Sequence, residues 1–197
     1  MKLILASSSP RRAEILRNAG IEFEVRPARI EESSVPDESP EAMVARLAEQ
    51  KAVSVAREFG PVCETSLVLG ADTVVVLDHL ILGKPSDAEK ARSMLRALSG
   101  RAHRVLTGIC LVRIPDGTRR TAVDSTTVTF APLTDQEIED YVRRGEPFDK
   151  AGGYAIQGGA GRYITHIEGC YFNVVGLPLA RLYALLGSSG WRPVAGR

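Results

Sequence analysis

The run Ser7-Ser8-Ser9-Pro10-Arg11-Arg12 breaks off a short apolar stretch, Leu3-Ile4-Leu5, and brings hydroxyls, a proline and two cations together. Pro10 suits the first position of a helix and Ser9 the N-cap, so the backbone N–H groups of the first turn lie at the positive end of the helix dipole. An ordinary helix places Asp or Glu there, and a capping box needs Glu or Gln three residues after Ser9. Arg12 holds that place, with Arg11 beside it. Two fixed cations on a positive helix end call for an external anion, and phosphate is the natural one.

Further along, Asp72 interrupts the Val- and Leu-rich run of residues 67–77. Inside a buried strand its carboxylate needs a metal, a cation or hydrogen bonds to offset desolvation, which makes it a catalytic candidate. If the strand instead stops at Gly70, Asp72 is a solvated turn residue. Glu31 and Glu32 lie on a polar connection, where they either add a carboxylate for a divalent ion or stay solvated. Lys51 falls on the apolar stripe of a helix, four residues after Leu47 and three after Ala48. From there it reaches into a site or snorkels into water. Lys84, just before Pro85, gains weight only from company. Together Arg11, Arg12, Lys51 and Lys84 against Asp72 and Glu32 would suit a polyphosphate chain with a metal ion: cations hold nonbridging oxygens, and carboxylates bind metal and activate water. Gln157, in a glycine-rich segment, carries donor and acceptor on one amide and either reads a base edge or satisfies a turn. That segment matches neither the G-x-x-x-x-G-K-[ST] loop nor a G-x-G-x-x-G opening a helix, and no G-x-S-x-G elbow surrounds Ser7, Ser8 or Ser9.

The elements that must position these residues follow from periodicity and punctuation. An opening strand leads to a helix over residues 10–19 closed by Gly20, a second strand over 21–25, and a polar connection over 26–39. Pro40 opens an amphipathic helix to Phe59, with Gly60 as its stop. After the strand at 67–77 come Ser86 and Glu89 as a capping box for a helix ending at Gly100, then a hairpin of strands 103–114 and 119–130 around Pro115-Asp116-Gly117. Thr134 with Glu137 caps a helix to about Arg144; a strand over 162–168, a helix over 178–186 and a loose tail over 187–197 finish the chain.

Composition narrows the classes. At 197 residues the chain is long enough to bury roughly 70% of its unfolded surface. The cysteines, Cys63, Cys110 and Cys170, are odd in number and form no CxxC pair, which fits a reducing cytoplasm better than a disulfide framework or zinc site. His79, His103 and His166 share no ligand spacing and are expected to be solvated or satisfied. No apolar run reaches the roughly 18 residues of a membrane span, and a formal charge of +1 argues against a nucleic-acid binder.

Taken together, L-A-S-S-S-P-R-R at 5–12, I-E-E at 30–32, L-A-x-x-K-A at 47–52, G-A-D-T at 70–73, G-K-P at 83–85, L-S-G at 98–100, D-K-A-G-G-Y-A-I-Q-G at 149–158 and N-V-V-G-L-P-L at 173–179 closely resemble the Maf family of nucleoside triphosphate pyrophosphatases. The resemblance implies a two-lobed α/β Maf/ITPase-like fold, a mixed sheet flanked by helices with a central cleft, as one domain over residues 1–186. By the same resemblance Asp72 is the proton acceptor close to a divalent metal (Mg²⁺ or Mn²⁺), and Glu32 shares the metal. Ser7, Ser9, Arg12, Lys51 and Lys84 form the phosphate environment. Arg11, Thr73 and Gln157 match the branch that prefers dTTP and UTP, where a sister branch acting on 7-methyl-GTP differs. The implied reaction cleaves the α–β phosphoanhydride, in a cytoplasmic homodimer, and leaves pool cleansing and cell division arrest both open as its task. The competing class is a nucleotide-binding regulator of cell division without catalysis.

Overall fold

The computed structural model describes residues 1–33, 35–59 and 64–192. Gly60, expected to stop a helix, Cys63 and residues 193–197 of the expected tail lie outside the described residues. Among the described residues seven strands form one mixed sheet in the order β2-β1-β3-β5-β6-β7, with β4 paired to β3. In chain order these are β1 (Lys2–Leu5), β2 (Glu24–Val25), β3 (Ser66–Leu77), β4 (Leu80–Leu82), β5 (Ala102–Ile114), β6 (Arg119–Phe130) and β7 (Ile164–Glu168). The helices are α1 (Pro10–Asn18), α2 (Pro40–Ala56), α3 (Ala88–Leu98), α4 (Asp135–Arg143), α5 (Tyr171–Val175) and α6 (Leu179–Ser188). β1 runs parallel to β2 and to β3, whereas β3–β4 and β6–β7 are antiparallel. The expected α/β class with a mixed sheet and flanking helices is what the chain adopts.

Two compact units share the chain, one of Met1–Asp72, Thr107–Asp124 and Gly176–Arg197, the other of Thr73–Leu106 and Ser125–Val175. Each has its own core. In the first, Ile4 and Val68 of the sheet, with Ala6 just after β1, pack with Ala48, Ala52 and Val55 of α2, the face that the helical periodicity marked as apolar. In the second, Leu95 and Leu98 of α3 and Ile138, Tyr141 and Val142 of α4 pack with Val75, Val105, Val128 and Phe130.

Local chemistry departs from the sequence pattern at several points, among them α2, which ends at Ala56 rather than Phe59. β2 is two residues long rather than five. Asp87, not Ser86, caps α3: its carboxylate accepts the Lys90 N–H at 2.8 Å, and Ser86 donates to the other oxygen at 2.7 Å. An ionised cap beside a positive helix end outcompetes a hydroxyl. The glycine-rich segment folds into short 3₁₀ turns at Glu146–Asp149, Ala151–Gly153 and Gly159–Tyr163, so β7 starts two residues later than its pattern. α5 had no periodic signature at five residues, and α6 runs on to Ser188, with the Trp191 N–H bonded to the Leu186 carbonyl at 3.1 Å. The Thr134–Glu137 capping box forms as expected.

Cys110 and Cys170 are free. His79 and His166 are exposed. His103 is buried: its Nε2 shares a 2.7 Å hydrogen bond with the Tyr154 hydroxyl, and burial lowers its pKa to about 4, so the ring is neutral at neutral pH. Among the described residues no helix is long and apolar enough to cross a membrane.

Candidate active site

β3 continues unbroken through Gly70, Asp72 and Thr73, which removes the turn reading of Asp72. β1 pairs with its Ser66–Leu69 stretch and β4 with Val75–Leu77, so Asp72 lies between the two paired stretches. The residue is 7% exposed, and a carboxylate at that depth requires a partner. Lys51 of α2 supplies it: Nζ lies 2.6 Å from Asp72 Oδ1 and 2.7 Å from Glu32 Oε1. One ammonium thus joins two carboxylates from a strand and a loop far apart in sequence. Of the two readings open to Lys51, reaching inward is the one adopted, since its side chain is only 14% exposed.

Helix α2 makes this reach possible by lying almost on the sheet backbone. A Cβ on Gly70 would sit 2.0 Å from the Ala48 carbonyl oxygen and 2.7 Å from the Ala52 nitrogen. On β5, a Cβ on Gly108 would sit 2.2 Å from the Val44 carbonyl oxygen. Only glycine permits that approach. Because alternate residues of a strand face the same side, Gly70 and Asp72 both face α2, and Lys51 stands between Ala48 and Ala52 above them. Gly70→Ala should therefore push the helix off the strand. The obstructing atoms are backbone and cannot rotate aside, so the expected cost is about 1–3 kcal/mol, or roughly 3–10 °C in Tm, with a loss of turnover. Thermal unfolding checks it, and an unchanged Tm contradicts the close approach.

The N-terminal run Ser7–Arg12 is organised around a guanidinium. Ser9 occupies the N-cap position, yet its side chain makes no cap hydrogen bond. Ser7, buried, accepts the Ser9 N–H at 3.2 Å and Arg12 Nη1 at 3.1 Å. Arg12 Nε donates to the Gly176 carbonyl at 2.8 Å, so a residue 164 positions away fixes the plane of the fork. Burial pulls the Arg12 guanidinium below its ordinary pKa; Asp72 opposes this, Arg11 adds to it and Glu32 opposes it again. Arginine nonetheless remains charged throughout the useful pH range. Ser7, Ser9, Arg11, Arg12, Glu32, Lys51 and Asp72 all belong to the first compact unit, where Arg12 feels both carboxylates that Lys51 joins.

Thr73, Lys84 and Gln157 belong to the second unit. Thr73 is half-buried in β3, Lys84 is exposed just after β4, and Gln157 is exposed in a turn closed by the Gly158 N–H on the Ala155 carbonyl at 3.1 Å. Glu31 is exposed. Sequence reasoning missed Gly70, Gly108 and the Gly176 carbonyl. Gly70 carried a usable signal, a glycine in the middle of an apolar strand, which marks a close approach. The Gly176 carbonyl carried none, because a backbone oxygen has no residue type.

A family model described as Maf-like protein matches residues 2–189. The chain is 52% identical over 192 residues to a dTTP/UTP pyrophosphatase of Anaeromyxobacter sp. (strain Fw109-5), covering 96% of this chain and 90% of that one. It is 47% identical over 190 residues to a dTTP/UTP pyrophosphatase of Koribacter versatilis (strain Ellin345), covering 96% and 95%. The solved structure of the Staphylococcus aureus Ham1 protein aligns with a TM-score of 0.49 at 13% identity, covering 96% of this chain and 100% of that one, a likeness too loose to bear on any residue's role.

Proposed function

Because this chain belongs to the Maf family, we propose that it is a nucleoside triphosphate pyrophosphatase that hydrolyses dTTP and UTP, the activity for which its Anaeromyxobacter and Koribacter relatives are named. Water adds across the α–β phosphoanhydride, giving the nucleoside monophosphate and pyrophosphate. The observation that best supports this is the single ammonium of Lys51 held at 2.6 and 2.7 Å by Asp72 and Glu32 beside the Arg12 guanidinium. Such a cluster binds polyanions and offers a carboxylate to water.

Each residue then takes a role from its chemistry. Asp72 accepts the proton of the attacking water, a task suited to a fixed carboxylate within hydrogen-bond reach. Arg12, oriented by Ser7 and the Gly176 carbonyl, grips nonbridging phosphate oxygens with its planar fork. Lys51 and Lys84 neutralise further phosphate charge as point charges, and Ser9 contributes its hydroxyl. Arg11, Thr73 and Gln157 select the pyrimidine. The donor set also fits a divalent ion. Two hard carboxylates already share one cation, and Mg²⁺ or Mn²⁺ is commonly held by one or two carboxylates with substrate phosphates filling the remaining positions. Among the described residues no group of three or more His, Cys, Asp or Glu surrounds a common point. Asp72 and Glu32 would hold the ion, and when bound it supplies charge neutralisation at phosphate oxygens.

A panel of canonical and modified triphosphates, compared by kcat/KM with pyrophosphate as the readout, tests the reading. dTTP and UTP should lead, and a chelator should abolish release. Protein that binds dTTP with Mg²⁺ present yet releases no pyrophosphate is a regulator and not this enzyme. The same proposal includes a homodimer in the cytoplasm, supported by the family resemblance and, for the compartment, by free Cys110 and Cys170; light scattering on eluted protein tests the dimer.

A further inference from the structure

The turn that carries Gln157 is held from beneath by two side chains to which no role has been given. Ala155 and Gly159 flank it, and their N–H groups converge on one pair of residues. The Ala155 N–H donates to the Tyr141 hydroxyl at 3.1 Å, and the Gly159 N–H donates to Glu146 Oε2 at 3.0 Å. Tyr141 and Glu146 are themselves joined, hydroxyl to Oε1, at 2.9 Å. Proton directions are forced: a backbone N–H can only donate and a carboxylate only accept, so the phenol gives its one proton to Glu146 and its lone pair to Ala155.

The support beneath that pair is rigid. Tyr141 is fully buried on α4, with its ring edge against Tyr163 at 6.2 Å between centroids. Burial first and the Glu146 contact second raise the Tyr141 pKa, which keeps the phenol protonated and donating. Glu146 is half-buried, and the space above it has room only for a glycine: a Cβ on Gly158 would lie 1.9 Å from Glu146 Oε1. The exposed Gln157 is therefore carried on a turn whose two flanks are fixed by hydrogen bonds to one buried pair.

We propose that Tyr141 and Glu146 are positioning residues for base selection, holding the 155–159 turn so that the Gln157 amide meets a pyrimidine edge in one orientation. This rests on the reading of Gln157 as a base-selecting residue. Neither side chain need touch the nucleotide. Their effect passes through the backbone, so it should appear as lost discrimination and a raised KM with kcat nearly unchanged.

A double-mutant cycle separates the two readings, using the ratio of kcat/KM for dTTP to that for dGTP. Gln157→Ala and Tyr141→Phe should each lower the ratio about tenfold, the scale of one lost buried hydrogen bond. Together they should lower it no further than Gln157→Ala alone, because Tyr141 acts only through Gln157. Should Gln157→Ala leave the ratio unchanged, the Gln157 reading falls and this proposal with it. If Gln157→Ala lowers the ratio but Tyr141→Phe does not, or the two effects add in full, the positioning role alone is overturned. Glu146→Gln, nearly isosteric at a half-exposed site, gives the same readout should Tyr141→Phe fold poorly.

Discussion

Asp72→Asn is expected to lower turnover of dTTP by a factor on the order of 10² to 10⁴, the range for loss of a general base. The substitution preserves shape, and an amide oxygen can still accept from the Lys51 ammonium that now lies at 2.6 Å. Glu32 remains as the second partner of that ammonium at 2.7 Å. Helix α2 thus keeps its polar contacts at Lys51, and thermal unfolding should change little. What should disappear, on the proposed mechanism, is the capacity to take a proton from water at the centre of β3. The loss should fall on kcat and leave KM within a small factor, measured as pyrophosphate release at saturating dTTP. Near wild-type turnover in a folded Asp72→Asn protein would take Asp72 out of the proposed chemistry and leave Glu32 as the carboxylate to examine.

That prediction depends on a fact about β3 that its sequence left open. Residues 67–77 are equally compatible with a strand that ends at Gly70 and with one that continues through Asp72, because periodicity records side-chain polarity and not the cation that offsets it. The compensating charge comes from Lys51, 21 positions earlier. Lys51 was ambiguous for the matching reason: position on an apolar stripe says that its stem is buried and not where its ammonium points. What decides it is the separation of α2 from the sheet, set by Gly70 and Gly108 against Ala48, Ala52 and Val44. The helix starts and stops were legible where local chemistry fixes them, as at Thr134 with Glu137, and misplaced by one residue where two caps compete, as at Ser86 and Asp87. Arg12 stood out in the sequence through its unusual place in a first turn, whereas the Gly176 carbonyl that accepts from it and the Tyr141–Glu146 pair could be found only once the chain had folded.

Lys51→Met should give the second large effect, and it has two parts of opposite sign. Turnover of dTTP should fall on the order of 10² to 10³, the scale for removing one preorganised donor from a charged transition state. Binding of Mn²⁺ to nucleotide-free protein should tighten. With the ammonium in place, Asp72 and Glu32 share a cation at 2.6 and 2.7 Å, and a divalent ion must displace it before both carboxylates are available. Methionine fills similar volume without charge, so the two carboxylates lose the one cation they share and repel each other more strongly, with Arg12 still in their field. At an effective dielectric of about 20, two unit charges some 4 Å apart interact by roughly 4 kcal/mol, enough to change metal affinity by a factor of ten or more even after screening. On the proposed reading an incoming triphosphate would relieve the same competition in the wild type by offering Lys51 its own oxygens, so metal affinity should rise when a non-hydrolysable dTTP analogue is present. In Lys51→Met that dependence on nucleotide should shrink. Mn²⁺ titrations followed by electron paramagnetic resonance, with and without the analogue, measure both quantities. Unchanged or weaker Mn²⁺ binding by the nucleotide-free variant would show that the ammonium does not stand in the metal's place.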